Sequence, residues 1–458
     1  MEAHDSDALL SFLKEVLAEK RDTELLEKDI VVHSRKDEGK WLSQVLAGVI
    51  RESMEMDFDF LHFWVNDILL SYGRTETDLN TRECLGPVLL EMAEYIREID
   101  DSMESERMLG VMYSRLGNIY RCKRDPKAFE YYSKSLDESG RLLEKWREDN
   151  LFIDVAFDNY ILGDTYCELG GDTYKEEALY SYQTAVQIAE EIGKICKTDR
   201  ARSVLGWAYM KLGQFYDHAG EENEALKYYE ACVREREALT AQNPAKTYIR
   251  NLCSAYDHVA RKCKYDDPQR ALELYKKMIG YLEKVVQEER TMDVLEDLAW
   301  AYSYAGYFLQ KEKIAEEQLE ALDYLERSIP IFEEYLSQYE DSYMQWTLCD
   351  NYGYAVRILG MLGGTENQLK VERYGKRGLY WGEYRAQKEQ SSSAYDSWAN
   401  MLLYYAGATT DVKLSIECLK KKIELNQVLY KMTKDKSYKK EIPALKMMIN
   451  SKKLIKIL

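Results

Sequence analysis

Small residues recur inside apolar, helix-like stretches of this chain at a nearly fixed interval. Leu116-Gly117-Asn118-Ile119-Tyr120, Leu162-Gly163-Asp164-Thr165-Tyr166 and Leu212-Gly213-Gln214-Phe215-Tyr216 share one pattern. Weaker copies are Val259-Ala260 with Cys263, and Ala305-Gly306 with Leu309. The small residue falls at 117, 163, 213, 260 and 306, and the phase predicts another at Gly353. The intervals of 46, 50, 47, 46 and 47 residues define a period of about 47. Self-similarity at that length marks stacked supersecondary units, none of which buries its apolar face alone.

A second pattern follows each copy: Ala128, Tyr132, Ser135; Ala178, Tyr182, Ala185; Ala225, Tyr229, Cys232; Ala271, Tyr275, Met278; and Ala321, Leu325, Ser328. Steps of four and three put these residues on one helix face. A small, a large and a smaller residue in that order let two helices approach closely and interlock. The two patterns together predict pairs of antiparallel helices, A then B, joined by short turns such as Lys123-Arg124-Asp125-Pro126 and Tyr265-Asp266-Asp267-Pro268.

Here the sequence resembles the tetratricopeptide repeat family. That family has an aromatic, Leu-Gly and Tyr on helix A, then Ala, an aromatic and Ala on helix B. Tyr209, Leu212, Gly213, Tyr216, Ala225, Tyr229 and Cys232 supply the best copy, and Tyr113, Tyr256 and Tyr302 take the early aromatic place elsewhere. Five clear copies cover residues 107 to 338. The resemblance implies an all-α fold, a right-handed α-solenoid superhelix of antiparallel helix pairs, and it implies no catalytic activity. The departure is the period, since the usual repeat has about 34 residues. With short turns, roughly 13 extra residues must lengthen the helices by about 20 Å per repeat, and helix B is expected to be long, as in Tyr174 to Cys196. Long-period repeats of this kind are similar to those attached to bacterial signalling ATPases and TIR-type immune proteins.

The flanks keep the phase but lose the pattern. Asp57 to Ile99 reads as a degenerate hairpin, and Tyr343 to Glu389 and Ser393 to Thr433 read as two more, with turns at Gly363-Gly364 and Gln390 to Ser393. The array therefore runs over 57–433. Residues 1–56 are expected to form a helical cap, with Leu9, Phe12, Leu13, Val16 and Leu17 at helical spacing behind Asp5 and Ser6. Asp29 to Asp37 looks slightly like the opening strand of a TIR domain. The repeats begin too early for such a domain, which needs about 100–150 residues. Lys434 to Leu458 carries eight lysines against Asp435 and Glu441; a basic capping helix whose lysines face water is expected.

Composition narrows the function classes. The net charge of −18 puts a repulsive field in front of nucleic acid. Nine cysteines are scattered, odd in number and without a Cys-x-x-Cys pair, which fits reduced packing residues in a cytoplasmic protein. No apolar run approaches a membrane span, and Met1 to Asp7 lacks the basic start of a signal peptide. The 37 tyrosines suit helix contacts close to water, since each buries a ring and keeps a hydroxyl for a polar rim.

Chemistry is sparse. None of the five histidines lies in a His-Glu-x-x-His motif, and no phosphate loop or nucleophile elbow occurs. His218 and His258 fall near the ends of neighbouring A helices, where rim positions explain them better than a metal does. Glu221-Glu222 and Glu316-Glu317 read as turn residues. No catalytic residue, metal or cofactor is expected.

Binding is the remaining class. In a superhelix of helix pairs, the A helices line the concave side. Positions three before, one after and four after each marker residue share a face there. This band contains Asn118, Arg121, Asp164, Met210, Gln214, Asp217, Asp257, Arg261, Lys264, Tyr307, Gln310 and Arg357. Trp207 and Trp300 lie near helix A starts and could anchor a ligand or simply pack. Amides, charges and aromatics in these places suit an extended peptide or a partner helix. Some family members grip a terminal carboxylate with Lys and Asn, but Ser114, Ile161, Met210 and Gln214 replace most of that clamp. The expected function is a non-catalytic scaffold or adaptor for a protein or peptide segment. The alternative is a peptide-responsive sensor in a bacterial signalling or defence system. Neither nucleic acid nor membrane is expected as a partner, and the sequence does not set the oligomeric state.

Overall fold

The computed structural model describes residues 101–310 and 315–457, with scattered positions between 83 and 98. The expected cap over 1–56 and most of the expected hairpin over 57–99 lie outside the described residues. Every regular element among those described is helical. The helices fall into two units, one ending at Asn243 and the other beginning at Pro244.

The first unit holds α1 (Met103–Cys122), α2 (Lys127–Trp146), α3 (Asp149–Thr165), α4 (Lys175–Ile195), α5 (Asp199–His218) and α6 (Glu222–Gln242). Side-chain caps set several starts: Ser102 accepts from the Ser105 N–H and Thr198 from the Ala201 N–H. Successive helices pair as α1–α2, α3–α4 and α5–α6, and α3 also packs on α5.

Each crossing is fixed by the marker glycine. A Cβ on Gly117 would lie 2.9 Å from the Tyr132 ring, one on Gly163 2.7 Å from Tyr182, and one on Gly213 2.8 Å from Tyr229. These are the close approaches expected of a small residue facing a large one, so the hairpins are tetratricopeptide-like. Between crossings the A helices are tied by charge. Asp154 on α3 accepts from Arg107 on α1 at 2.5 Å and pairs with Arg200 on α5. Those partners stand 47 residues before it and 46 after, so opposite charges one period apart meet.

The second unit holds α7 (Lys246–Cys263), α8 (Pro268–Glu288), α9 (Met292–Leu309), α10 (Ala315–Leu336), α11 (Ser342–Leu362), α12 (Thr365–Glu389), α13 (Ser392–Ala408), α14 (Val412–Thr433) and α15 (Lys436–Ile457). Asp267 caps α8 with Pro268 in its first turn, and Asp341 caps α11. Gly363 and Gly364 both adopt positive φ between α11 and α12, a conformation other residues rarely take.

A glutamate triad recurs here. Glu283 accepts from the Tyr302 hydroxyl at 2.7 Å and pairs with Arg327 at 2.6 Å. Glu333 accepts from Tyr352 at 2.7 Å and pairs with Arg377 at 2.5 Å. Each glutamate thus joins a B helix to both helices of the next hairpin.

Several local expectations change. The added length is shared: α5 and α6 have 20 and 21 residues, so helix B alone does not absorb it. Glu222 opens α6, and Glu316 and Glu317 lie in the first turn of α10, where carboxylates answer the positive helix end. Ser392 and Ser393 already belong to α13, and the turn is Gln390 with the capping residue Ser391. Gly353 keeps the phase, but a Cβ there would meet Tyr404 of α13 at 2.7 Å rather than a ring of its own B helix. On α12 the large residue is replaced by Gly375, Gly378 and Gly382. Tyr405, Met401 and Trp398 of α13 fill the space they leave.

Candidate functional site

The buried B-helix tyrosines explain the carboxylates on the A helices. The Tyr182 and Tyr229 rings pass over the marker glycine of helix A, with the hydroxyl beyond, and Tyr275 is buried at the matching position of α8. Each hydroxyl donates to a carboxylate: Tyr182 to Asp164 at 2.7 Å, Tyr229 to Asp217 at 3.2 Å and Tyr275 to Asp257 at 3.0 Å. Burial first, and the adjacent carboxylate second, push the Tyr182 and Tyr275 hydroxyls far above their ordinary range. They stay protonated donors. Three candidate aspartates therefore hold the hairpins together; Asp217 and Asp257 stay half-buried, whereas Asp164, expected on the binding face, is buried.

In the first unit Asp164 is a hub. Lys211 of α5 approaches it to 2.8 Å and Arg121 of α1 to 3.7 Å. Arg121 also reaches Glu168 at 3.6 Å and donates to Asn118 Oδ1 at 3.3 Å. Asp217 and Gln214 are half-buried on α5. Trp207 lies under the Arg236 guanidinium, 4.6 Å from its ring centroid. Met210 turns inward and is 1% exposed, so it is a core residue in this structure.

In the second unit Arg261 is exposed on α7 and pairs with Asp257 at 2.7 Å. Burial opposes its charge, but Asp257, Tyr304 and Tyr275 outweigh that and hold the guanidinium above its usual range. Lys264 lies over the Tyr265 ring at 4.7 Å. Tyr307 meets Tyr354 with ring centroids 5.9 Å apart. Gln310 is buried, and Arg357 donates to both its side-chain and backbone carbonyls. Trp300 stacks on Tyr343 at 4.9 Å and makes a T-shaped contact with Phe332 at 5.1 Å.

A cleft of about 170 Å³ opens between α7, α8 and α9. Asp257, Arg261 and Trp300 line it. So do residues that the periodicity did not single out, among them Arg250, Ser254 and Asp297. Arg250 reaches Asp297 at 2.7 Å, again one period away. Pairs of opposite charge 47 residues apart were the sequence signal for it.

The described histidines and cysteines assemble no site. His218 Nδ1 bonds the Gln214 carbonyl of its own helix at 2.8 Å. Among the described residues no cluster of three or more His, Cys, Asp or Glu side chains could hold a metal ion. No described helix is long and apolar enough to cross a membrane.

The sequence matches no protein-family model and no curated protein. Among solved structures it is similar to the nuclear import adaptor Nro1 of S. pombe, at 14% identity over 65% of this chain and 99% of that one, with a TM-score of 0.45. It is similar to a signal-transduction ATPase with numerous domains and a tetratricopeptide repeat sensor from Pyrococcus horikoshii. There the identity is 12%, over 85% of this chain and 55% of that one, and the TM-score is 0.44. A third similarity is to the C-terminal part of a TPR repeat-containing protein from Cytophaga hutchinsonii, at 14% identity over 74% and 99%, with a TM-score of 0.37.

Proposed function

We propose that the chain is a non-catalytic scaffold that holds a protein or peptide segment against the exposed faces of its A helices. The observation that carries this reading is the tyrosine–aspartate bond, made once in each of three hairpins. It holds carboxylates in fixed positions beside half-exposed Arg, Lys and aromatic side chains. A polar surface that is already ordered loses less entropy on binding than a mobile one. The setting is a cytoplasm, supported by eight described cysteines that form no disulfide. The charge of −18 supports a protein partner over nucleic acid.

The test must avoid the aspartates, because reversing one would also cut a hairpin bond. Arg261→Glu with Lys264→Glu instead alters an exposed position in the last turn of α7 and the half-buried capping residue that follows it. Crosslinking in cells should recover a partner with the parent chain. Its affinity for the double variant should fall by about tenfold or more, while the far-UV circular dichroism melt stays the same. Undiminished capture by a folded double variant would refute the assignment of this face.

A further inference from the structure

We propose that the outward face of α15 is a second docking surface, which receives an acidic amphipathic helix of a partner protein. It is independent of the A-helix residues named above. Sequence supplies the first reason. Lys439-Lys440, Lys446-Met447 and Lys453-Leu454 follow one another at seven-residue steps. A seven-residue repeat keeps one face of a helix turned towards a neighbouring helix. The row from Lys439 to Lys453 is about 21 Å long.

Packing fixes which face is presented. Leu445 and Ile449 are buried where α15 packs on α14. Glu441 pins that contact: it accepts from Asn426 Nδ2 at 2.7 Å and pairs at 3.3 Å with Lys422, itself buried. Met447 and Leu454 turn the other way and are 64% and 63% exposed. Lys440, Lys446 and Lys453 are exposed beside them. Lys439 lies over the Tyr430 ring at 3.8 Å. Glu441 with Lys422 is the one ion pair of α15 among the described residues, so the lysine row has no carboxylate of its own. Lys436 and Lys439 also stand in the first turn, where a helix dipole favours acidic residues and α15 has none. A carboxylate brought by another chain relieves both.

Charge and size select the occupant. Residues 434–458 carry eight lysines against Asp435 and Glu441, in a chain of net charge −18. The face therefore attracts an anion. An anionic bilayer or a nucleic acid extends far beyond the Debye length of about 8 Å, so it would meet the acidic remainder of the protein as well as α15. A single helix, about 10–12 Å across, lies along the lysine row and meets little else. Its carboxylates reach Lys440, Lys446 and Lys453. Its apolar residues cover Met447 and Leu454, and the flexible methionine adapts to whatever shape they present.

The test uses the full chain with isotope-labelled methionine methyl groups read by NMR, the Met447 signal being identified by its loss in Met447→Leu. The probe is a blocked peptide of about 21 residues, long enough to hold a helix, that repeats Leu-Ala-Ala-Leu-Glu-Gln-Glu. Controls carry lysine for glutamate or serine for leucine. The acidic peptide should move the Met447 signal saturably, and both controls should leave it in place. Lys446→Glu with Lys453→Glu should weaken the response about tenfold or more and transfer it to the lysine peptide. Vesicles with roughly one-third phosphatidylserine should not move the signal. The proposal is overturned by no saturable shift with the acidic peptide, by an equal response to either control, or by an undiminished response in the double variant. A larger response to the vesicles would also overturn it and assign the face to a lipid surface. Arg261→Glu with Lys264→Glu should answer the acidic peptide as the parent does, so failure of this surface and failure of the A-helix reading are seen separately.

Discussion

Gly213→Leu should cost the first unit about 3 kcal/mol, whereas Gly213→Ala should cost clearly less. A Cβ on Gly213 lies 2.8 Å from the Tyr229 ring and 3.4 Å from the Ala225 carbonyl. The ring cannot swing aside cheaply, because its hydroxyl is bonded to Asp217 at 3.2 Å and its side chain is fully buried. Alanine adds one methyl, and in the fourth clear repeat the marker is already Ala260, fully buried on the helix that pairs with the one bearing Tyr275. A crossing of this kind can therefore be built around alanine, at the cost of opening until the ring clears the methyl. Alanine also gains up to about 1 kcal/mol of helix propensity over glycine, which offsets part of that strain. Leucine gains nearly as much propensity but brings three more carbons into a filled crossing. Ala225→Trp, on the facing helix at 0% exposure, should lose stability by about 1–3 kcal/mol for the same reason. Urea unfolding followed by circular dichroism measures these differences. A decisive control is Gly213→Leu with Tyr229→Ala. Its loss should be smaller than the sum of the two single losses, because the second change removes the atoms that clash. Additive losses, or parent-like unfolding of Gly213→Leu, would remove the crossing from its assigned place.

The sequence spoke clearly where geometry leaves one choice. Only a very small side chain fits beneath a tyrosine ring at 2.7–2.9 Å, so 117, 163 and 213 could be read from spacing alone. Where geometry offers two solutions, the sequence was ambiguous. Around α11 to α13 the small residues moved to the B helix, at Gly375, Gly378 and Gly382, and the large ones to the next A helix. The crossing is as close, but the residues that make it have exchanged places. Gly353 was in phase and its partner was not foreseeable.

Side-chain direction on the A face was only partly legible. Three residues before the marker, Asp257 is half-buried, while Met210 and Ser303 are buried. Ser303 donates to Asn351 of α11 at 2.9 Å, a contact between neighbouring A helices. The same register position can face outward or face the next repeat, depending on how closely the A helices approach. That distance is set by many packed residues, so no single spacing encodes it. The tyrosine–aspartate bonds had the same obscurity: the acceptor lies one after the marker in Asp164, four after in Asp217 and three before in Asp257.

Buried carboxylates give the second large effect, and its sign is the opposite of the usual acid lability. Asp158 on α3 is 4% exposed and accepts from Ser139 Oγ at 2.7 Å. Arg107, the nearby cation, bonds to Asp154 instead. Burial pushes the Asp158 carboxyl up to about 7. The Ser139 bond opposes that rise and the Asp154 charge adds to it. An unfolded aspartate titrates near 3.9. Between those values the native state keeps a proton that the unfolded state has released, so stability falls as pH rises. The contribution is whole below about pH 4, declines towards pH 7, and is absent above it. Over that interval the loss amounts to about 4 kcal/mol as an upper bound. Asp158→Asn keeps the shape and cannot ionise. It should unfold at higher urea than the parent at pH 8, by the equivalent of a few kcal/mol, and come close to the parent near pH 4.5. Taking the difference between the two proteins at each pH cancels the surface ion pairs, which weaken in acid in both. Asp350→Asn in the second unit is an independent replicate. Its carboxyl is also raised to about 7 by burial, with Ser397 donating at 3.1 Å. A difference between Asn variant and parent that does not change from pH 4.5 to pH 8 would mean that Asp158 is ionised in the folded chain. The Ser139 hydroxyl would then be compensating a full buried charge.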